Sequence, residues 1–199
     1  MGLAGTFNVD ENENINKNQL FFIGRIVKRK GLSWFCKNVL SQFKDTKLFF
    51  AGPIIDREEF DYVNSHPQTE YMGIISDEDK LIMIQQSLAT VLPNINMLSN
   101  LDFEGFGISF LEIVSSGGLP IASKSQGIIT SSLNGKIGIT LSAESPDEWI
   151  KQIKILKASK SEYRSSLIAK SQILIRKNFL WKDIFESTIK HYSKLIDKN

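Results

Sequence analysis

Cysteine occurs once, at Cys36, so no internal disulfide can form within the 199 residues. That fits a reducing, cytoplasmic setting. Cys36 itself reads as an apolar filler on a helix. Histidine occurs twice, as His66 and His191, and with one cysteine this gives no convincing zinc set and no Ser/His/Asp constellation. No apolar run reaches the roughly 18 residues of a membrane span. Residues Met1–Thr6 lack the basic start and long apolar core of a signal peptide. Met1-Gly2 with Thr6 fits a myristoylation pattern, but that pattern is short enough to recur by chance. Net charge is only +2, too weak to argue for nucleic acid. What is present is ordinary for a soluble globular chain: 42% hydrophobic and 23% charged residues, enough for one sizeable core.

Residues 7–19 are rich in Asn, Asp and Glu and show no apolar periodicity, so residues 1–19 read as a linker or arm. Residues 20–199 then alternate short apolar runs with helical spacing. Strands are expected at Leu20–Ile23, Lys47–Ala51, Glu70–Met72, Ala89–Leu92 and Leu119–Ser123, with a last one inside Gly135–Leu141. Helices are expected at Leu32–Phe43, Arg57–Val63, Asp77–Ser87 (with Ser76 as N-cap) and Gly107–Ser116, then near 147–157, 161–177 and 182–196. Ser145-Pro146-Asp147-Glu148 has the form of a capping box. This alternation predicts an α/β, Rossmann-like parallel sheet flanked by helices, with ligands at the carboxyl ends of the strands.

Two stretches stand at that edge. The loop Gly24-Arg25-Ile26-Val27-Lys28-Arg29-Lys30-Gly31 concentrates cations. Arg25 and Lys30 can clamp a diphosphate, one as a planar fork and one as a point charge. A solvated basic loop is the competing reading, and the pattern is not a P-loop. The second stretch is Glu104-Gly105-Phe106-Gly107-Ile108-Ser109-Phe110-Leu111-Glu112. Gly105 and Gly107 let backbone approach a ligand, and a helix starting near Gly107 offers N–H groups to phosphate. Glu112 lies roughly 8–12 Å from Glu104 at about 1.5 Å rise per residue, the span of a sugar, a diphosphate and a ribose. Acids that simply favour a helix N-terminus would look the same. The third glycine of a dinucleotide fingerprint is missing, because Phe110 stands there. Asp77-Glu78-Asp79 has a metal-site form but follows Ser76, so first-turn acids explain it better.

These stretches, in this order, resemble the retaining glycosyltransferases of the GT-B fold, family-4 type, in particular their C-terminal donor-binding half. Gly24-Arg25 with Lys30-Gly31 is similar to the phosphate loop of that family. Tyr71-Met72-Gly73-Ile74-Ile75-Ser76 is similar to the strand and turn beside the nucleobase. Glu104 to Glu112 resembles the Glu-x7-Glu motif, and Gly118-Leu119-Pro120-Ile121-Ala122-Ser123 its continuation. Phe179-Leu180-Trp181 resembles the start of the final helix.

The resemblance implies roles. Gly24, Arg25 and Lys30 would serve the diphosphate of a UDP- or GDP-sugar. Glu104, the catalytic candidate, would hold the transferred hexose. Gly105, Phe106, Gly107 and Ile108 would present backbone to sugar and phosphate, and Glu112 would bind ribose hydroxyls. It implies no metal and no further cofactor. Lys124-Ser125-Gln126-Gly127-Ile128-Ile129-Thr130 departs from the family, with Thr130 in place of a frequent acid, and the loop Asn94–Phe103 is longer than in many members. The acceptor site and a catalytic histidine belong to an N-terminal half, and neither His66 nor His191 takes that role. The expectation is a donor half that binds nucleotide sugar and transfers poorly or not at all alone, to a glycan or lipid-linked acceptor. The alternatives are a non-catalytic sugar-nucleotide partner or sensor and a GT-B-fold epimerase, whose expected acids and histidines are not visible. Lysines over 151–177 allow peripheral contact at the inner face of a membrane, with a solvated face as the simpler reading. The Asn, Ile, Lys and Ser bias suggests an AT-rich bacterial genome.

Overall fold

The computed structural model describes residues 15–95 and 105–180, together with Phe185, Glu186, Thr188, Ile189, Tyr192 and Ser193. Six parallel strands form one sheet: β1 (Asn16–Ile23), β2 (Lys47–Ala51), β3 (Thr69–Tyr71), β4 (Ser87–Leu92), β5 (Pro120–Ser123) and β6 (Ile139–Leu141). Their order is β3-β2-β1-β4-β5-β6. The chain steps outward from β1 to β3, crosses back to β4, and steps outward the other way. The order reverses between β1 and β4, which puts the ligand crevice of such sheets at their carboxyl ends.

Side chains of a strand alternate between faces, and the core follows that parity. Leu20 and Phe22 of β1, with Leu48 and Phe50 of β2, pack toward α1 (Leu32–Asn38), α2 (Arg57–Asn64) and α6 (Pro146–Ala158). Phe21 and Ala51 face the opposite layer, α3 (Asp77–Gln86), α4 (Ile108–Ser115) and α5 (Gln126–Ser131), through Ile84, Phe110, Leu111, Val114 and Ile128. The long α7 (Ser161–Asn178) gives Ile168 to the first core and Ile175 to the second. Each such buried side chain contributes about 1.5–3 kcal/mol. Cys36 is the expected filler: fully buried on α1, its thiol is pushed up to about 12, first by burial and then by the Glu59 carboxylate.

Most expected elements are present, with displaced ends. β1 starts at Asn16, inside the stretch read as an arm, because Gln19 pairs with Lys47 and Asn16 with Ser87. β3 begins one residue early, at Thr69, whose hydroxyl donates to the carbonyls of Val63 and His66. α1 stops at Asn38 rather than Phe43. The Asn38 side-chain amide donates to the Trp34 carbonyl at the helix end, and a 3-10 turn (Leu40–Gln42) follows. α5 has no counterpart among the expected elements. Ser76 caps α3 as expected, accepting from the Asp79 N–H at 3.0 Å. Ser145 does not cap α6. Glu148 reaches past it to the N–H and hydroxyl of Ser142, at 2.9 and 2.8 Å, and the Trp149 indole donates to the Ser142 carbonyl. Of the expected helix at 182–196, the six described residues are helical. Among the described residues no helix is long and apolar enough to cross a membrane.

Candidate donor crevice

The crevice is framed by the loops that leave β1 and β4. After β1, Gly24 donates its N–H to the Ala51 carbonyl at 3.0 Å, tying the loop to the end of β2. A 3-10 turn at Lys28–Lys30 then ends in Gly31, with φ of +69°. After β4, Pro93 and Asn94 are buried, and Ile95 donates its N–H to the Arg29 carbonyl at 3.0 Å. A Cβ on Gly31 would stand 2.1 Å from the Pro93 carbonyl oxygen. The two loops therefore touch backbone to backbone and form the floor at the switch point.

The four cations of the first loop separate in space. Arg25 and Lys28 are exposed, Lys30 is half-buried, and Arg29 is 5% exposed. Arg29 is a residue the sequence reading passed over in favour of Arg25 and Lys30. It stands in a short 3-10 turn, which leaves no periodic signal. Asn94 is the other residue missed. It is 4% exposed, and among the described residues its amide oxygen has no hydrogen-bond partner, an arrangement that buried polar groups seldom keep without a reason.

The second loop delivers α4. Glu104, the catalytic candidate, lies outside the described residues. Gly105 is exposed, and nothing lies within 4 Å of where its Cβ would be. Phe106 is half-buried against Phe179, with ring centroids 5.9 Å apart at 71°. Gly107 is the N-cap of α4, in the left-handed region with φ of +68°. The left-handed φ favours glycine, and a Cβ there would displace the end of the Ile128 side chain, 2.5 Å away. The helix begins at Ile108, one residue later than expected, and among the described residues no side chain caps its N-terminus. About half a unit of positive charge from the helix dipole is thus presented at the carboxyl edge of the sheet. Glu112 is exposed on the second turn of α4.

Gly24, Arg25 and Lys30 thus lie on the loop after β1, and Gly105, Phe106, Gly107, Ile108 and Glu112 on the segment after the neighbouring β4. The third side of the edge is the departure noted after β5. Thr130, in place of an acid, donates its hydroxyl to the Gln126 carbonyl within α5. Tyr71, beside the expected nucleobase turn, donates to the Gly52 carbonyl at 2.8 Å and holds the β2 and β3 ends together. His66 accepts the Gln68 N–H at Nδ1 and closes a turn, and partial burial lowers its pKa. His191 lies outside the described residues. Among the described residues no group of three or more His, Cys, Asp or Glu side chains is arranged to hold a metal ion.

Comparison with known proteins agrees with this architecture. The fold matches sucrose-phosphate synthase from Thermosynechococcus elongatus with a TM-score of 0.73 at 18% identity, over 98% of this chain and 50% of that one. It matches Anabaena HepE, solved with UDP and glucose, with a TM-score of 0.70 at 16% identity, over 91% of this chain and 49% of that one. The C-terminal domain of LpcC from Francisella tularensis, a glycosyl transferase group 1 family protein, matches with a TM-score of 0.63 at 20% identity, over 86% and 90%. The chain thus spans about half the length of the first two. No curated protein matched it by sequence. A family model described as "Glycosyl transferases group 1" matches residues 6–173. With that match over most of its length, on a sheet of GT-B C-terminal type, the chain belongs to the group 1 glycosyl transferases.

Proposed function

We propose that this chain is the donor-binding half of a retaining, family-4 type glycosyltransferase. It binds a UDP- or GDP-hexose for transfer to a glycan or lipid-linked acceptor. One observation carries the reading: the N-terminus of α4, capped by no side chain among the described residues and reached through a left-handed Gly107, opens at the switch point beside the cationic loop after β1. In this reading Gly24 lets the loop approach the diphosphate, which Arg25 and Lys30 neutralise. Gly105, Phe106, Gly107 and Ile108 present backbone N–H groups to phosphate and sugar. Glu112 accepts from the ribose hydroxyls, and Glu104 holds the hexose. Cations and helix N-terminus together stabilise the leaving diphosphate, and no metal is called for.

The residues before β1 serve as the linker, and the chain from Asn16 onward as the donor domain. The acceptor site and a further catalytic group come from a separate half. The protein works in the cytoplasm of a bacterium, in polysaccharide assembly, with peripheral contact at the inner face of the membrane where the acceptor is a lipid. The alternative, a sugar-nucleotide-binding partner or sensor, uses the same crevice without turnover. Radiolabelled sugar transfer separates the two. The chain alone should show no turnover and gain it when joined to a cognate N-terminal half. Turnover by the isolated chain contradicts the half-enzyme reading.

A further inference from the structure

A second cleft lies between α1 and α2, with a volume of about 390 Å³, and shares Lys28 with the loop after β1. That is within the usual range for small-molecule sites. Its apolar surface comes from Trp34, held edge-on against Trp149 at 6.1 Å, and from Tyr62, which is 46% exposed. Its polar groups are of both signs: Lys28 and Lys37 with Asp56 and Glu58. Among the described residues Lys28, Lys37 and Glu58 enter no ion pair, although they line one cleft. Its geometry is set by carboxylate side chains that accept from backbone N–H groups. Asp56 accepts the Glu59 N–H at 3.1 Å, and Glu59 accepts the Ser33 N–H of α1 at 2.9 Å, which fixes the two helices against each other.

A site with unpaired charges of both signs suits neither a simple anion nor a simple cation, since each meets a like charge. A neutral polyhydroxyl ligand uses both, donating to the carboxylates and accepting from the ammonium groups. An aromatic surface suits the apolar C–H face of a pyranose ring. We infer that this cleft is a second saccharide site, which holds a neutral oligosaccharide segment away from the donor. Lys28 belongs both to this cleft and to the loop after β1, so a bound glycan would run toward the crevice. The inference does not rest on the donor assignment.

The test is an NMR titration of the full chain with maltotetraose, cellotetraose and mannotetraose, with UDP titrated separately. At least one tetrasaccharide should shift the Trp34 indole and the Tyr62 and Lys37 amides. Tyr62→Ala should weaken it about fivefold and leave UDP affinity unchanged. If Tyr62→Ala does not fold by circular dichroism, Lys37→Met and Glu58→Gln carry the same expectation. The inference is overturned if no tetrasaccharide binds, if shifts are confined to the crevice, or if a folded variant binds unchanged. Tighter binding of an acidic tetrasaccharide than of all three neutral ones also overturns it.

Discussion

Gly31 lies against the carbonyl of Pro93 so closely that a Cβ would stand 2.1 Å from the oxygen. The loop carrying Arg25 and Lys30 is thereby set against the segment that leads to α4. Gly31 also has φ of +69°, where a side chain is strained whatever the space.

Gly31→Ala should therefore destabilise the fold by about 1–3 kcal/mol, or a melting temperature lowered by roughly 2–12 °C. It should also weaken nucleotide binding by displacing both loops. Gly105→Ala is the control, since nothing lies near its Cβ position. Its melting temperature should stay within about 2 °C of wild type. Equal drops in melting temperature in the two variants would show that the Gly31–Pro93 contact does not hold the two loops together.

Arg164, in the first turn of α7, is 5% exposed and serves the opposite edge of the sheet. Its Nε donates to the Leu88 carbonyl at 3.0 Å, and Nη2 to the Ser87 and Gln85 carbonyls at 3.0 and 3.4 Å. Here α3 passes straight into β4 with no loop, and the guanidinium satisfies the carbonyls of the junction. Burial holds its pKa down to about 10, so it remains charged at neutral pH. Arg164→Leu orphans those carbonyls and should cost about 2–3 kcal/mol by urea unfolding. Nucleotide affinity of the folded fraction should be unchanged.

Glu148 ties the start of α6 to the loop after β6. The Ser142 N–H, then its hydroxyl, hold the Glu148 carboxyl below its ordinary value of 4.5. A carboxyl lowered in the fold stabilises above its unfolded pKa, and that contribution is lost as pH falls through the folded one. Wild type should melt higher than Glu148→Gln at pH 7, and the gap should close as pH falls well below 4.5. A gap independent of pH would mean that shape, not charge, makes the contact.

The strand–helix alternation was legible because central strands of a parallel sheet are buried on both faces and read as apolar runs, such as Leu20–Ile23 and Ala89–Leu92. Their ends were less legible. Residues 16–19 are polar, yet join β1 because pairing with β2 and β4, not side-chain burial, holds them. The short α5 buries only Gly127, Ile128 and Ser131, too little to show a period. Glu148 was expected to close a box on Ser145, but the local pattern cannot show that Ser142 offers two donors. At the crevice, glycines and cations were readable as residue types. The burial of Arg29 and Asn94 depends on the contact between two loops more than sixty residues apart, and no local window contains that contact.

The central claim is that Arg25 and Glu112 serve one nucleotide-sugar site. Isothermal titration of UDP, GDP and ADP, with their hexose conjugates, into wild type, Arg25→Ala and Glu112→Ala tests it most directly. One nucleotide class, UDP or GDP, should bind, and each substitution should weaken it about 10- to 100-fold, as expected for the loss of charge-assisted bonds of about 1.5–3 kcal/mol. Unchanged affinity in both folded variants, or no binding of UDP and GDP to wild type, would contradict the account.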